Sequence, residues 1–203
     1  MLRIGVTGGI GTGKTTVCKI FELLGAPVFY ADSKAKELYN NNDELKQKII
    51  ETFGKEMYIP KAINQQSLIF NKEKMRSLIF NDSAQLQLLN NIVHPIIKEE
   101  TEKWFAKQSG AYALKEAALI IETNTFDTFD ELILIESPID IRMKRVVLRD
   151  HLSADEIKKR IQSQLPEEEK RRYATQIIAN DEKTLLIPQV LSLHHQFLKK
   201  AHS

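Results

Sequence analysis

The stretch Gly8-Gly9-Ile10-Gly11-Thr12-Gly13-Lys14-Thr15 constrains the fold of this chain more than any other part of it. It fits G-x-x-x-x-G-K-[ST] at every fixed position, a pattern that belongs between a strand and a helix. Both neighbours are legible. Leu2 to Val6 is a short apolar run that ends in the Gly-rich turn, so it reads as a buried strand. From Thr15 to Leu24, the residues Val17, Ile20, Phe21 and Leu24 share one helical face, and Gly25 stands where a helix C-cap belongs. Pro27 to Tyr30 reads as a second strand that ends at Ala31-Asp32. Strand, turn, helix and strand within about thirty residues make a βαβ unit, which implies a parallel sheet with a right-handed crossover. The glycines let the main chain wrap closely and turn its N–H groups toward phosphate oxygens, at the positive end of the helix that follows. The cradle predicted for the phosphates of ATP is Gly9, Ile10, Gly11, Thr12, Gly13, Lys14, Thr15 and Thr16. Lys14 is expected to reach the β- and γ-phosphates, and the Thr15 hydroxyl to ligate Mg2+.

Composition narrows the surroundings of this motif. A chain of 203 residues that is 42% hydrophobic is globular, with room for one core and an inserted region. A formal net charge of +2 gives no global field of the kind that binds nucleic acid, so no nucleic-acid partner is expected. The single cysteine, Cys18, rules out an intrachain disulfide, suits a reducing compartment, and reads as packing in the first helix. No apolar run approaches a membrane span of about 20 residues. The first apolar stretch breaks at Thr7-Gly8-Gly9, unlike a signal peptide. A cytoplasmic protein without a membrane partner is the expectation.

Beyond the first unit, Ser33 to Gly110 is helical in pattern. Ser83 is expected to cap one helix, and Pro95 to lie in the first turn of the next. This is too long for a single crossover and reads as an inserted lobe. Tyr112 to Ile121 holds a third strand with its exit loop, Leu132 to Ile135 a fourth and Ile177 to Ala179 a fifth. Ser137 is expected to cap a helix with Pro138 at its first position. Ser153 with Glu156 forms a capping box, and Pro166 begins a short helix. A closing helix spans Lys183 to Ala201 with Leu186, Val190, Leu193 and Phe197 on one face. The predicted class is α/β, a five-stranded parallel sheet flanked by helices.

A GTPase would need N-K-x-D and D-x-x-G, and neither occurs. The size and the helical insertion fit a small-molecule kinase. Asp32, just past the second strand, lies where open α/β sheets bind ligands. There it can orient an acceptor hydroxyl and accept its proton, or it can cap the helix from Ser33. Arg142, Arg145 and Arg149 share a helix face opposite Met143, Val146 and Val147; a solvated face accounts for Arg142 and Arg145. Lys170-Arg171-Arg172 reads as a basic patch. His151, His194, His195 and His202 lack metal-ligand spacing with any cysteine partner.

The run from Val6 to Asp32, VTGGIGTGKTTVCKIFELLGAPVFYAD, resembles the dephospho-CoA kinase family. The resemblance continues in order through Ile92-Val93-His94-Pro95, Ala118-Leu119-Ile120-Ile121-Glu122, Arg149-Asp150, Arg160-Ile161-Gln162-Ser163-Gln164 and Ile177 to Asn180. It implies a nucleoside-monophosphate-kinase-like P-loop core over about 1–32, 111–137 and 174–203. It adds a helical substrate lobe over about 33–110 and a lid over about 138–173. It implies ATP and dephospho-CoA as substrates, with the γ-phosphate passing to the ribose 3′-hydroxyl in the last step of coenzyme A synthesis. Asp32, Lys14 and Arg149 become the catalytic candidates, Arg149 also as an ATP contact, and Asp32, His94, Glu122 and Arg160 the substrate candidates. Glu122 can contact Mg2+ through water or hold the lid. Three places depart from the family pattern: Tyr30 replaces the first Asp of D-A-D, Ala118 and Ile121 replace Pro and Phe, and Ala174-Thr175 replaces Ala-Asp. A monomer or weak homo-oligomer is expected. The alternatives are another small-molecule or nucleoside monophosphate kinase, and a non-catalytic nucleotide switch.

Overall fold

The computed structural model describes residues 1–61, 68–79, 82–150 and 153–202. Along the chain come β1 (Leu2–Thr7), α1 (Lys14–Leu23), β2 (Val28–Tyr30), α2 (Ala31–Asn41), α3 (Asp43–Phe53), β3 (Tyr58–Pro60), β4 (Leu68–Phe70), α4 (Lys72–Ile79) and α5 (Ser83–Ala106). Then follow β5 (Tyr112–Glu116), β6 (Glu131–Glu136), α6 (Ile139–Asp150), α7 (Ala154–Gln162), α8 (Glu167–Arg171), β7 (Gln176–Ala179) and α9 (Leu186–Ala201). They group into two compact units, Met1–Tyr30 with Phe105–Ser203, and Ala31–Trp104.

In the first unit five strands lie in the order β2-β5-β1-β6-β7, every neighbouring pair parallel. β1, which feeds the Gly-rich loop, is therefore interior, and β2 is one strand removed from it. Strands covered on both faces read as apolar runs. Leu132, Ile133, Leu134 and Ile135 of β6 are all buried, as are Ile4 and Val6 of β1. Val17 and Phe21 of α1 and Val190, Leu193 and Phe197 of α9 pack in one cluster with Ile4, Val6, Tyr112, Leu114, Ile133 and Ile135. Tyr112 meets Phe21 and Phe197 edge-on, with ring centroids 6.2 and 5.4 Å away. Each such fully buried apolar side chain stabilises by about 1.5–3 kcal/mol.

The helix ends follow local chemistry. After α1, the Gly25 N–H bonds the Glu22 carbonyl at 2.9 Å and the Ala26 N–H the Phe21 carbonyl at 3.0 Å, a Schellman closure at the expected glycine. The expected capping box holds at α7: the Ser153 hydroxyl accepts from the Glu156 N–H while the Glu156 carboxylate accepts from the Ser153 N–H. At α6 the start differs from expectation by one residue. The Pro138 carbonyl takes the first helical bond, from the Arg142 N–H at 3.0 Å. Ser137 is buried instead of capping, and accepts from Arg145 Nη1 at 3.3 Å.

The second unit carries a core of its own, built from Leu38, Leu45, Ile49, Phe53, Met57, Tyr58, Phe70, Met75, Leu89, Val93 and Ile96. Three expectations are corrected here. The stretch is not wholly helical, because β3 and β4 pair antiparallel with Ile59 opposite Ile69. The aromatic rings explain why: Phe70 stacks on Tyr39 at 4.2 Å, and the Tyr58 hydroxyl donates to the Tyr39 carbonyl at 2.9 Å. Ser83 is not the cap of α5; the Asp82 carboxylate accepts from the N–H groups of Ala84 and Gln85 at 3.0 and 3.1 Å. Pro95 does not start a helix but sits inside α5. A proline there forfeits one helical hydrogen bond. Burial of Leu89, Val93 and Ile96 along the same helix outweighs the loss.

Candidate active site

The phosphate loop begins where β1 leaves the sheet and ends at Gly13, whose φ of 90° is left-handed and suited to glycine. The turn delivers Lys14 as the first residue of α1 and leaves Thr15 and Thr16 exposed in its first turn. The Thr16 and Val17 N–H groups close the first turn on the Gly13 carbonyl at 3.0 and 3.2 Å, and the positive end of the helix makes the spot an anion site. The Lys14 ammonium donates to the carbonyls of Gly8 and Gly9 at 3.0 and 3.3 Å, so a cation already lies against the loop. Thr12 is buried and its hydroxyl donates to the Gly9 carbonyl at 3.0 Å, which braces the loop from within.

The loop is also held from outside. Asn180, just past β7, donates its side-chain amide to the Thr12 carbonyl at 2.7 Å, while its own N–H bonds the Glu136 carbonyl at 2.8 Å. Arg145 reaches the Asn180 carbonyl and Oδ1 at 3.4 and 3.3 Å and Glu182 at 3.1 Å. Arg142 Nε donates to the Ile10 carbonyl at 2.9 Å and Nη1 to Glu167 at 2.8 Å. Gln164 Oε1 accepts from the Ile10 N–H at 2.9 Å. Burial pushes the Glu167 carboxyl up, against the lowering pull of Arg142.

Arg142 and Arg145 are thus not a solvated face. Arg142 is only 6% exposed and shares the buried side of α6 with Val146, whereas Val147 and Leu148 are exposed. Residue spacing locates a charge on a face but not the face's neighbour, which here is the main chain of the loop. Lys170-Arg171-Arg172 is corrected too. Lys170 is fully buried with its ammonium 2.7 Å from Glu122, and Arg171 grips both oxygens of Glu136 at 2.6 and 2.7 Å.

Among the acids, Glu116 went unnoticed in the sequence. It is buried at the carboxyl end of β5, in register with Val6 of β1 and Tyr30 of β2. No motif marks it, and beside the charged Lys115 it reads as the solvated end of the strand. Burial, reinforced by Glu116 and Glu22, pushes the Cys18 thiol up, so this enclosed cysteine is no nucleophile. Asp32 is exposed in the first turn of α2, which starts directly after β2, and it lies inside the helix instead of capping it. Glu122 directs Oε1 to Lys170 and to the Leu165 N–H at 3.2 Å. Arg149 is exposed at the end of α6, and its guanidinium holds Asp150 through two 2.8 Å bonds. Those bonds raise its pKa, with a smaller contribution from Glu116. Arg160 is half-buried on α7. His94 is exposed on α5, in the second unit. His151 lies outside the described residues.

Two of the departures gain a physical account. The Tyr30 hydroxyl donates to Glu22 at 2.9 Å, and burial with this bond raises its pKa, so the side chain pins β2 to α1. The Thr175 hydroxyl accepts from the Leu132 N–H at 2.9 Å and serves the edge of the sheet. Nothing in the structure explains Ala118 and Ile121. Gln164 and Asn180 were visible as the last letters of two matched motifs. Their grip on the loop was not.

A family model described as dephospho-CoA kinase matches residues 2–185. The dephospho-CoA kinase of Coxiella burnetii is 34% identical over all of both chains. The solved dephospho-CoA kinase of Campylobacter jejuni superimposes with a TM-score of 0.67 at 25% identity, covering 98% of each chain. A shikimate kinase from Acinetobacter baumannii, at 13% identity and a TM-score of 0.58, shares the fold over 98% of this chain. With its phosphate loop, its sheet order and matches along nearly its whole length agreeing, this chain belongs to the dephospho-CoA kinase family.

Proposed function

We propose that the chain transfers the γ-phosphoryl group of ATP to the ribose 3′-hydroxyl of dephospho-CoA, the last step of coenzyme A synthesis. The observation that carries this reading is the braced Gly-rich loop with the Lys14 ammonium lying on it, in a chain matched by the family along 2–185. The transfer is direct, without a covalent enzyme intermediate. The loop amides and Lys14 bind and orient the triphosphate and stabilise charge on the transferring group. Asp32, two residues beyond β2, orients the acceptor hydroxyl and takes its proton.

The donor set fits magnesium carried by a nucleotide. The exposed Thr15 hydroxyl is the side chain that would ligate it; among the described residues no group of three His, Cys, Asp or Glu gathers to hold a metal. Bound there with the phosphates, Mg2+ supplies charge neutralisation. We assign the exposed Arg149, whose present partner is its half-buried neighbour Asp150, to the ATP phosphates. Arg160 and His94 are assigned to the acceptor, and Glu122, engaged with Lys170, to anchoring a lid over 138–173. That lid excludes water, which would otherwise hydrolyse ATP. The segment 33–110 holds the acceptor. The reaction is assigned to the cytoplasm and to a monomer or weak homo-oligomer; no helix among the described residues is long and apolar enough to cross a membrane.

The test is a coupled assay with ATP, Mg2+ and dephospho-CoA, with mass spectrometry of the product and with AMP and shikimate as competing acceptors. A 3′-phosphorylated product is expected. Its absence beside active controls, or preferred turnover of AMP or shikimate, would refute the assignment.

A further inference from the structure

We infer that Arg142 and Gln164 are positioning residues that preorganise the phosphate loop by clamping one residue of it, Ile10, at both of its backbone polar groups. The Ile10 carbonyl accepts from Arg142 Nε and the Ile10 N–H donates to Gln164 Oε1, each at 2.9 Å. Ile10 is flanked by Gly9 and Gly11, and glycines lose more conformational freedom on ordering than any other residue. Fixing the two polar groups of the residue between them removes much of that freedom before nucleotide arrives. Ligand affinity rises when such ordering is done in advance.

The fit at the clamp is close. A Cβ placed on Gly9 would lie 2.2 Å from Arg142 Nη2, and one on Gly11 would lie 2.6 Å from the Arg142 carbonyl. The loop main chain therefore packs directly against the Arg142 guanidinium, the main chain of α6 and Val146, with no room for a side chain on Gly9 or Gly11. Arg142 is not there as a free charge for phosphate, because its Nη1 is paired with Glu167 at 2.8 Å. Its fork reaches two partners at once, which a lysine ammonium on a flexible stem does not reproduce. Gln164 and Glu167 both follow α7, so the segment from Gln164 to Glu167 reaches the loop twice, directly and through Arg142. Nucleotide affinity and the packing of that segment become linked.

This inference rests on the reading of the loop as an ATP site. Its test uses the full-length chain, calorimetric titration with ATP and Mg2+, steady-state kinetics with both substrates, and melting of the nucleotide-free protein. The variants are Arg142→Lys, which keeps a cation for Glu167 but loses the fork, and Gln164→Met at a half-buried position. Each is expected to weaken ATP binding by about tenfold and to raise KM for ATP, with KM for dephospho-CoA within about twofold of the parent. The double variant is expected to lose less than the product of the two, since both act on one residue. ATP affinity within about twofold of the parent in folded variants, or a lowered melting midpoint with affinity intact, would overturn the clamp. Should Arg142→Lys fail to fold, Gln164→Met decides alone. A parent that binds ATP but leaves dephospho-CoA unphosphorylated refutes the assigned acceptor and not the clamp; a parent that binds no ATP refutes both.

Discussion

Replacing Lys170 by methionine isolates the buried ion pair that fastens α8 to the segment after β5. Methionine keeps most of the apolar stem and volume, so the change removes the ammonium and little packing. What remains is Glu122, its side chain 16% exposed, with the Leu165 N–H as a remaining donor to Oε1. Breaking a buried pair from one side costs about 3–5 kcal/mol. A stranded carboxylate can escape by taking a proton, which for an ordinary glutamate with a pKa of about 4.3 costs about 3.7 kcal/mol at pH 7. That route is a ceiling, and partial exposure lowers the cost further, so about 3 kcal/mol is expected at pH 7. At pH 5 the same ceiling falls to about 1 kcal/mol, so acid should rescue the variant. The assay is thermal unfolding followed by circular dichroism at both pH values. For a chain of this size, about 3 kcal/mol lowers the midpoint by about 6–12 °C. The double variant Lys170→Met with Glu122→Gln is expected to recover most of the loss. A single variant within about 1 kcal/mol of the parent at pH 7, or a penalty that persists at pH 5, would refute the reasoning.

Three further outcomes are expected. Asp32→Asn should leave ATP affinity within about twofold and lower kcat by at least about 100-fold; near-normal turnover removes Asp32 from the role of base. Gly13→Ala must hold a φ of 90° and brings its Cβ 2.2 Å from Asn180 Nδ2, so it should destabilise by about 1–3 kcal/mol and abolish ATP binding; calorimetry that finds affinity within about tenfold of the parent contradicts this. Burial alone would raise the Glu131 carboxyl, but hydrogen bonds from Lys200, Thr175 and Gln176 outweigh it and hold the pKa below its ordinary 4.5. A depressed carboxyl contributes stability above that value and loses it as pH falls through the folded-state pKa. Lys200→Met should therefore cost stability near neutral pH and progressively less below about pH 4.5 in urea titrations, and a gap that stays constant into acid would contradict the pairing.

What could be read from the chain without coordinates divides along physical lines. β6 was legible because a strand covered on both faces leaves an unbroken apolar run, Leu132 to Ile135, β1 and β5 because most of their residues are apolar, and α1, α7 and α9 because their caps and faces are local. The β3–β4 hairpin escaped because runs of three residues fit a helix as well as a strand. Pro95 misled because a local rule was overridden by burial at Leu89, Val93 and Ile96. At the candidate site the loop itself announced Lys14 and Thr15. Arg142, Glu116 and Lys170 did not announce themselves, since a charged letter in a helix or at a strand end reads as solvated until its partner is placed. The partners of Arg142 and Lys170, Ile10 with Glu167 and Glu122, are far away in the sequence, and the burial of Glu116 follows from strands β1 and β2 that lie far away too.

The enclosure of Cys18 turns this residue into a gauge. It sits one turn into α1 with no measurable exposure, and it is the chain's sole sulfhydryl. An alkylating reagent can reach it only when that helix peels away from the sheet. The labelling rate therefore reports how often the phosphate-loop helix opens, and a bound nucleotide, by clasping the first turn of the same helix, should slow it in proportion to its occupancy.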